Sequence, residues 1–341
     1  MKTDPKEDCV ESNRLPRRAS STHEKKSPPR ISVVIATKNR RADLLETTAA
    51  IMDQARSPNE LIVVDQSDSD ECGRHLKALL GRTPPFPLIY IWDRAIIGLP
   101  MARNRGFKAS AGDLICYLDD DTTPAKDYLA QVERGFACFP EWGGLSGRFT
   151  QNEQLPVARR LGRCLFRLGI FRDERMRLGR IDSPREIRLM CGAACSFRRE
   201  VLEQYQFDEC LTGYALGEDV EFCLRAGRVF RFGAYPGAQW HHRRSSVGRL
   251  SPAEIRDMAR ASAAYLRRLH RRHAGDDLAY IWLSIGLKLD QVLSSWSARA
   301  TFLQSSWLGY LALRPGAVPA PDKHNEAVER LPSSLGGGTF R

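Results

Sequence analysis

Residues 114–124 read LICYLDDDTTP, an apolar run that ends in three consecutive acidic residues. An unbroken apolar run of this length is typical of a strand that is buried on both faces of a parallel sheet. Adjacent carboxylates repel each other, so their position at the end of a buried strand calls for a compensating partner. A divalent cation is the obvious one, because hard cations prefer carboxylate oxygens. The alternative is a helix N-terminus with solvated acids, where Asp is also favoured.

Three further apolar runs, each ending in polar residues, precede this segment. They are ISVVIAT (31–37), LIVVDQS (61–67) and PLIYIWD (87–93), and helical patterns at 41–55 and 99–110 lie between the runs. This alternation predicts an α/β domain with a mainly parallel central sheet flanked by helices. Ligands of such sheets bind beyond the carboxyl ends of the strands. The polar strand ends therefore predict a binding site.

The composition indicates an anionic partner and a reducing compartment. The 341 residues carry a formal net charge of +11, which favours a phosphate-bearing substrate or an anionic membrane surface, unless it serves solubility alone. Nucleic acid fits less well, because the arginines are not interleaved with an aromatic platform and no recognised module occurs. Nine scattered cysteines without a CxxC pair, and no signal-peptide pattern, predict a cytoplasmic protein.

Several sequence pieces together resemble the core of glycosyltransferase family 2. They are VVIATKNR at the first strand, IVVDQSD at the second, ARNRG followed by AGDLICYLDDD, and finally GEDVEFCLRAG. Each piece is weak alone, but their order and spacing across 31–245 are specific. This family contains inverting nucleotide-sugar transferases, so the resemblance implies the GT-A fold (the nucleotide-diphospho-sugar transferase fold) and a UDP-, dTDP- or GDP-linked sugar donor. The acidic run implies Mn²⁺ or Mg²⁺ as the cofactor.

The resemblance also implies roles for residues at the strand ends. The nucleotide-sugar-binding residues would be Thr37, Asn39, Arg40, Asp65, Ser67, Arg103, Asp119 and Asp120. Asp65 would accept a hydrogen bond from the base, Asp119 would approach the ribose and Asp121 would coordinate the metal. Arg103 and Asn104 would brace the site. For Arg103, an ion pair with one of the acids is as good an interpretation as a phosphate contact.

The GEDVEF stretch at 217–222 supplies a second acidic site. An inverting transfer needs a general base that deprotonates the acceptor hydroxyl. By the resemblance, Asp219 matches the base and Glu218 its acidic neighbour, and side-by-side carboxylates raise one pKa. Solvated acids in the first turn of a helix are the alternative. The position downstream of the acidic run favours the base.

Two adjacent histidines occur in the AQWHHRR stretch at 238–244. In an extended segment neighbouring side chains point to opposite faces, so only one of them can face the site. Family members often place a further metal ligand here, and we predict His241 in this role, with His242 as the alternative. Histidine suits Mn²⁺ better than Mg²⁺.

The predicted organisation places the GT-A domain at 31–245, with a nucleotide-binding half (31–150) and an acceptor half (151–245). Disordered tails are expected at 1–30 and 317–341. The region 246–316 is predicted to be a helical, membrane-interfacial extension that begins with a capping box, Ser251-Pro252-x-Glu254. The most apolar stretch, 278–296, carries a polar stripe, which indicates an amphipathic helix rather than a spanning one. It would lie in the membrane interface or pack on the domain.

We therefore predict a metal-dependent, inverting hexosyl- or deoxyhexosyltransferase at the cytoplasmic face of the membrane, acting on a glycan, a cell-envelope polysaccharide or a lipid-linked acceptor. A nucleotidyltransferase is one alternative, but it would favour a glycine-rich loop after the first strand, which ATKNRRADLL lacks. A non-catalytic membrane-associated binding or scaffold protein on the same fold is another. Loss of the acids would support it, yet Asp119, Asp121 and Asp219 are all present.

Overall fold

A computed structural model describes residues 27–81, 84–150, 178, 181–270 and 281. The predictions for 1–26, for the tail at 317–341 and, apart from Ile281, for the apolar stretch at 278–296 lie outside these residues.

Strands and helices alternate along the described part of the chain. In order they are β1 (Ile31–Thr37), α1 (Arg41–Met52), β2 (Glu60–Asp65), α2 (Glu71–Leu80), β3 (Leu88–Trp92), α3 (Leu99–Ala109), β4 (Leu114–Asp119), β5 (Thr122–Pro124), α4 (Tyr128–Cys138), β6 (Trp142–Phe149), β7 (Arg185–Ile187), β8 (Ala194–Arg198), α5 (Arg199–Gln204), α6 (Glu218–Ala226), β9 (Arg231–His242) and α7 (Pro252–His270). The four apolar runs of the sequence form β1 to β4, as predicted.

The strands form one sheet in the order β3-β2-β1-β4-β8-β6-β9-β5, and β7 pairs with β9. Strands β1 to β4 are parallel to their neighbours within the β3-β2-β1-β4 part of the sheet. Beyond β4 the sheet is mixed, because β8 runs antiparallel to both β4 and β6. The predicted α/β architecture is confirmed, and the strands of this parallel part lie within residues 31–119.

Alternate residues of the central strands enter two separate hydrophobic cores, one on each face of the sheet. On β1, Val34 belongs to the core that includes α3 residues, whereas Val33 and Ile35 belong to the other. All three are at most 1% exposed. Burial on both faces explains why these strands read as unbroken apolar runs instead of alternating ones.

Two helices, α3 and α7, show specific local contacts. Helix α3 approaches β1 closely at Gly106, where a Cβ would lie 2.3 Å from Cγ1 of Val34. Helix α7 begins with the predicted capping box, in which the Ser251 amide donates to Glu254 over 2.7 Å and the Glu254 amide donates to Ser251 Oγ over 3.3 Å. Within the described residues, no helix is both long and apolar enough to cross a membrane.

Candidate active site

The register of the parallel strands brings three polar strand ends to one edge. Thr37 pairs with Asp65 across β1 and β2, and Ala36 pairs with Asp119 across β1 and β4. The main chain continues from Asp119 into a tight turn, formed by the other two acids of the run, and then enters β5. The predicted binding edge is therefore present, and it lies at the carboxyl ends of the strands.

The middle acid of the run, Asp120, points into the protein. It is 4% exposed and accepts hydrogen bonds from Thr37 Oγ1 at 2.7 Å and from Arg40 Nη1 at 3.1 Å. Burial raises the pKa of Asp120 to about 7, although Arg40 and Thr37 favour its charged form. Asp120 thus orients Thr37 and Arg40, two of the residues predicted to bind the donor.

The outer acids of the run form a group that fits a metal ion. One ligand atom each from Asp119, Asp121 and His242 lies within 4.8 Å of the others. His242 Nε2 is 2.8 Å from Asp121 Oδ1. Two carboxylates and an imidazole suit a first-row divalent ion such as Mn²⁺. Burial alone would raise the pKa of Asp121, but the contacts with His242 and Arg40 lower it to about 2.

The structure places the other histidine away from these carboxylates. His241 pairs with Thr123, is exposed, and is not part of the Asp-Asp-His group found among the described residues. The expectation for His241 is therefore revised in favour of His242. Asp119, for which the resemblance implies a place near the ribose, belongs to this Asp-Asp-His group as well.

Tyr90 contacts Asp65, the residue expected to bind the nucleobase, and the sequence did not predict this contact. Asp65 is fully buried, and its two carboxylate oxygens accept hydrogen bonds from the Ser67 amide at 2.8 Å and from the Tyr90 hydroxyl at 2.6 Å. Ser67 Oγ in turn accepts from the Asn39 amide at 2.7 Å. Tyr90 lies in the middle of β3, where nothing in the sequence distinguishes it from a core aromatic. Trp92, at the end of β3, donates to the Ser67 carbonyl over 2.9 Å and is 42% exposed.

Arg103 joins the two acidic sites of the sequence. Its guanidinium is buried, pairs with Glu218 and with Asp119 (3.2 Å), and donates to the Gly192 carbonyl over 2.8 Å. Of the two alternatives for Arg103, an ion pair with an acid or a phosphate contact, these contacts agree with the ion pair. Its neighbour Asn104 braces the same helix by donating to the Phe207 carbonyl over 2.8 Å.

The two acids of the GED motif have different surroundings. Glu218 is 6% exposed and held by Arg103, whereas Asp219 is only half-buried. Burial and the adjacent charge of Asp219 raise the pKa of Glu218, and Arg103 opposes them. The Gly192 amide donates to Asp219 Oδ2 over 3.1 Å, which orients that carboxylate. Of the pair, Glu218 is the one committed to a buried ion pair, and Asp219 is the more exposed.

The segment at 243–250 also contacts the acidic turn, which the sequence did not predict. Its residues Ser245 and Arg249 both contact Asp121, the first through an amide at 3.1 Å and the second through its guanidinium at 3.6 Å. The only available signal was the basic RRSSVGR pattern after the two histidines, which by itself indicates no contact.

Comparisons with known proteins identify the class of protein that this fold and site define. The model of the family described as "Glycosyl transferase family 2" matches residues 32–206. The chain therefore belongs to glycosyltransferase family 2 and is a glycosyltransferase, as its motifs predicted. A relative described as "Uncharacterized glycosyltransferase YwdF", from Bacillus subtilis (strain 168), is 28% identical over 255 residues, which is 73% of this chain and 86% of the relative.

Two solved structures share the fold. The mannosyltransferase PcManGT from Pyrobaculum calidifontis, in complex with GDP-Man and Mn²⁺, has a TM-score of 0.55 and 18% identity over 84% of this chain and 85% of its own. GalNAc-T7 with UDP, GalNAc and Mn²⁺ has a TM-score of 0.52 and 16% identity over 73% of this chain and 52% of its own. At these identities the similarity defines the fold, which is the expected GT-A fold.

Proposed function

We propose that this protein is a metal-dependent, inverting glycosyltransferase that moves a hexosyl or deoxyhexosyl group from a nucleoside-diphosphate sugar to a hydroxyl of a glycan, a cell-envelope polysaccharide or a lipid-linked acceptor. The observation that carries the proposal is the group of Asp119, Asp121 and His242 at the carboxyl edge of the parallel strands. The Mn²⁺ and nucleotide-sugar complex of the mannosyltransferase with the same fold supports it.

In the proposed reaction, Asp219 accepts the proton of the acceptor hydroxyl while the hydroxyl oxygen bonds to the anomeric carbon. The bond between that carbon and the diphosphate oxygen breaks on the opposite face, so the configuration inverts. The nucleoside diphosphate leaves with the bonding electron pair. A bound divalent cation would offset the negative charge that develops on this leaving group.

The remaining donor contacts follow from the strand ends. Arg40 presents its guanidinium at the edge that holds Asp120 and Asp121, where it would meet the diphosphate. In this proposal Asp65 accepts a hydrogen bond from an N–H of the base, and the Ser67 amide and the Tyr90 hydroxyl hold the carboxylate in place. Thr37, Asn39 and Ser67 would complete the lining of the nucleoside.

Isothermal titration calorimetry of UDP, dTDP and GDP, each with and without Mn²⁺, tests the donor site. We expect one nucleotide to bind wild type in a metal-dependent way and to lose that binding in Asp121→Asn. The matched control is Asp127→Asn, because Asp127 is an exposed acid at the start of α4. Absence of binding to wild type under every condition would contradict the donor site and favour the non-catalytic alternative.

We also propose that the protein associates with an anionic membrane surface, and the observation behind this proposal is α7. This helix packs on the domain through Ala259, Ala263 and Leu266, which are fully buried, and carries Arg267 and Arg268 in its last turn. Basic residues near an anionic surface contribute about 1 kcal/mol each. Flotation with vesicles containing anionic phospholipid, compared with zwitterionic vesicles and with high salt, tests this association. Equal recovery with both vesicle types would count against it.

A further inference from the structure

The segment at 243–250, between β9 and α7, folds back over the acidic turn and is anchored at its first residue. The Arg243 amide donates to the Asp121 carbonyl over 2.9 Å. The Arg243 guanidinium donates to Thr123 Oγ1 at 2.7 Å and to Thr47 Oγ1 at 2.8 Å. Arg243 is thus built into the scaffold, and the rest of the segment extends from it across the site.

Beyond this anchor, the segment converges on one oxygen of the proposed metal ligand Asp121. Asp121 Oδ2 accepts from the Ser245 amide at 3.1 Å and lies 3.6 Å from Arg249 Nη2. Arg40 Nη1 is 3.7 Å from the same oxygen, and Arg40 Nε donates to the Val247 carbonyl over 2.8 Å. Two guanidiniums and a backbone amide therefore surround Asp121 Oδ2, whereas the other carboxylate oxygen, Oδ1, faces His242.

Of these two arginines, Arg249 is the less buried, and its Nε also donates to the Ser245 carbonyl within its own segment. Its side chain is 36% exposed, against 16% for Arg40, which Asp120 also holds. Gly248, directly before it, has a φ of +64°, a conformation that glycine adopts without strain. A Cβ at Gly248 would meet only Arg40 Nε, at 3.7 Å, so the backbone here is loosely packed.

A divalent cation at Asp119, Asp121 and His242 changes the balance of charge at Arg249. Cation and guanidinium carry the same sign of charge and would share one carboxylate, so each weakens the other's binding. The donor supplies a better partner, because a guanidinium binds phosphate oxygens through two parallel, charge-assisted hydrogen bonds. Arg249 lies at the edge where the diphosphate is proposed to bind, because its guanidinium is 3.6 Å from Asp121.

We propose that Arg249 is an exchangeable counter-cation of the donor site. It competes with the metal for Asp121, and it transfers to the diphosphate when metal and nucleotide bind together. Metal alone then binds weakly, and nucleotide and metal bind cooperatively, because the nucleotide relieves the competition. This inference rests on the proposed function, since it needs a diphosphate in the site.

The test measures two equilibria in wild type and in Arg249→Ala. The first is Mn²⁺ alone, followed by the loss of the electron paramagnetic resonance signal of free aqueous Mn²⁺. The second is the nucleoside diphosphate, among UDP, dTDP and GDP, that binds wild type best, titrated calorimetrically at saturating Mn²⁺. We expect Mn²⁺ alone to bind roughly threefold tighter in the variant, as for removal of a partly exposed ion pair. We expect the nucleotide to bind roughly tenfold weaker.

Two further variants separate this role from a general effect of charge or folding. Arg260→Ala removes the same charge from α7, where Arg260 pairs with Asp257 at 2.8 Å, and leaves both equilibria as in wild type. Arg249→Lys keeps the cation but loses the paired donors, so Mn²⁺ alone binds as in wild type while the nucleotide binds more weakly.

Effects of opposite sign in Arg249→Ala support the proposal. Changes of the same sign, or no change in either equilibrium, overturn it. Absence of nucleotide binding in wild type is a different result, which rejects the proposed function itself. Even then, tighter Mn²⁺ binding in Arg249→Ala would uphold the competition at Asp121, and unchanged Mn²⁺ binding would reject it.

Discussion

Arg103 and Glu218, 115 residues apart in the sequence, form a buried ion pair that joins α3 to the start of α6. Their side chains are 3% and 8% exposed. The same guanidinium reaches Asp119 at 3.2 Å. One side chain thus links the Asp119 carboxylate to the helix that carries Asp219. Because a transfer reaction needs donor and base in a fixed relation, the proposed function makes this ion pair a positioning element between the proposed metal ligands and the proposed base.

Replacing Arg103 alone should destabilise the protein more than replacing Arg103 and Glu218 together. Arg103→Met leaves the buried Glu218 without its counter-charge, which costs about 3–5 kcal/mol in the free energy of unfolding. The double variant Arg103→Met/Glu218→Gln removes the uncompensated charge and should recover part of that loss. Urea denaturation of the two single variants and the double variant gives the coupling energy. Additive losses would show that the pair does not couple.

Replacement of the base should abolish transfer while sparing the donor site. Asp219→Asn keeps the size of the side chain and its bond from Gly192, but the amide cannot accept the acceptor proton. We expect kcat to fall roughly 10²- to 10⁴-fold with little change in nucleotide affinity. Nucleotide release from the matching sugar donor, measured with a panel of alkyl glycosides as acceptors, gives the rate. Asp257→Asn, on the exposed face of α7, is the control; a similar rate in Asp219→Asn would reject the assignment.

The two histidines should differ sharply in their effect on the metal. His242 contacts Asp121, so His242→Ala removes one of three protein ligands and should weaken Mn²⁺ binding at least roughly tenfold. His241→Ala is the matched control, because the same residue type is removed one position away from the opposite face of β9. Mn²⁺ binding is measured by paramagnetic resonance with the nucleotide present. A larger effect in His241→Ala would restore the assignment expected from the sequence.

Stability at acidic pH should depend on Glu221, which faces away from the proposed reaction. Burial alone would raise the pKa of Glu221, but Arg225 (2.8 Å) and His270 lower it from an ordinary 4.5 to about 2. A carboxylate whose pKa is depressed in the folded state stabilises the protein above its unfolded pKa. That stabilisation, on the order of 3 kcal/mol, is lost as the pH falls from 4.5 towards 2.

The measurement is denaturant unfolding of wild type and Glu221→Gln at several pH values between 3 and 7. The difference between the two proteins should be largest near neutrality and shrink as the pH falls. Glu203→Gln, which removes an exposed acid from α5, should parallel wild type throughout. A difference that stays constant with pH would mean that the ionised carboxylate adds no stability.

Much of the fold was predictable from local patterns in the sequence. Strands buried on both faces read as unbroken apolar runs, and β1 to β4 lie where those runs do. The Ser251–Glu254 capping box was recognised from two residues and forms as expected. Such features depend on a few neighbouring residues, whose sterics and hydrogen bonds act whatever the rest of the chain does.

The choice between the two histidines depended on the sheet. Strand alternation requires that only one of them face the carboxylates, but it does not say which one. The register between β6 and β9 shifts twice, the second time between Gly147 and Arg148. Each irregularity can change the face to which the following residues point. Counting along β9 from its buried residues therefore could not select His242 in advance.

The sequence by itself determined the class of fold, the family and the edge of the sheet at which the polar residues meet. Only the tertiary structure decided that His242 joins Asp119 and Asp121, that Arg103 pairs with Glu218, and that Arg249 reaches Asp121. The physical reason is the separation along the chain between the residues that interact. Periodicity and capping act between residues a few positions apart, whereas these contacts join segments about 100 residues apart, and the packing of the two cores sets their distances.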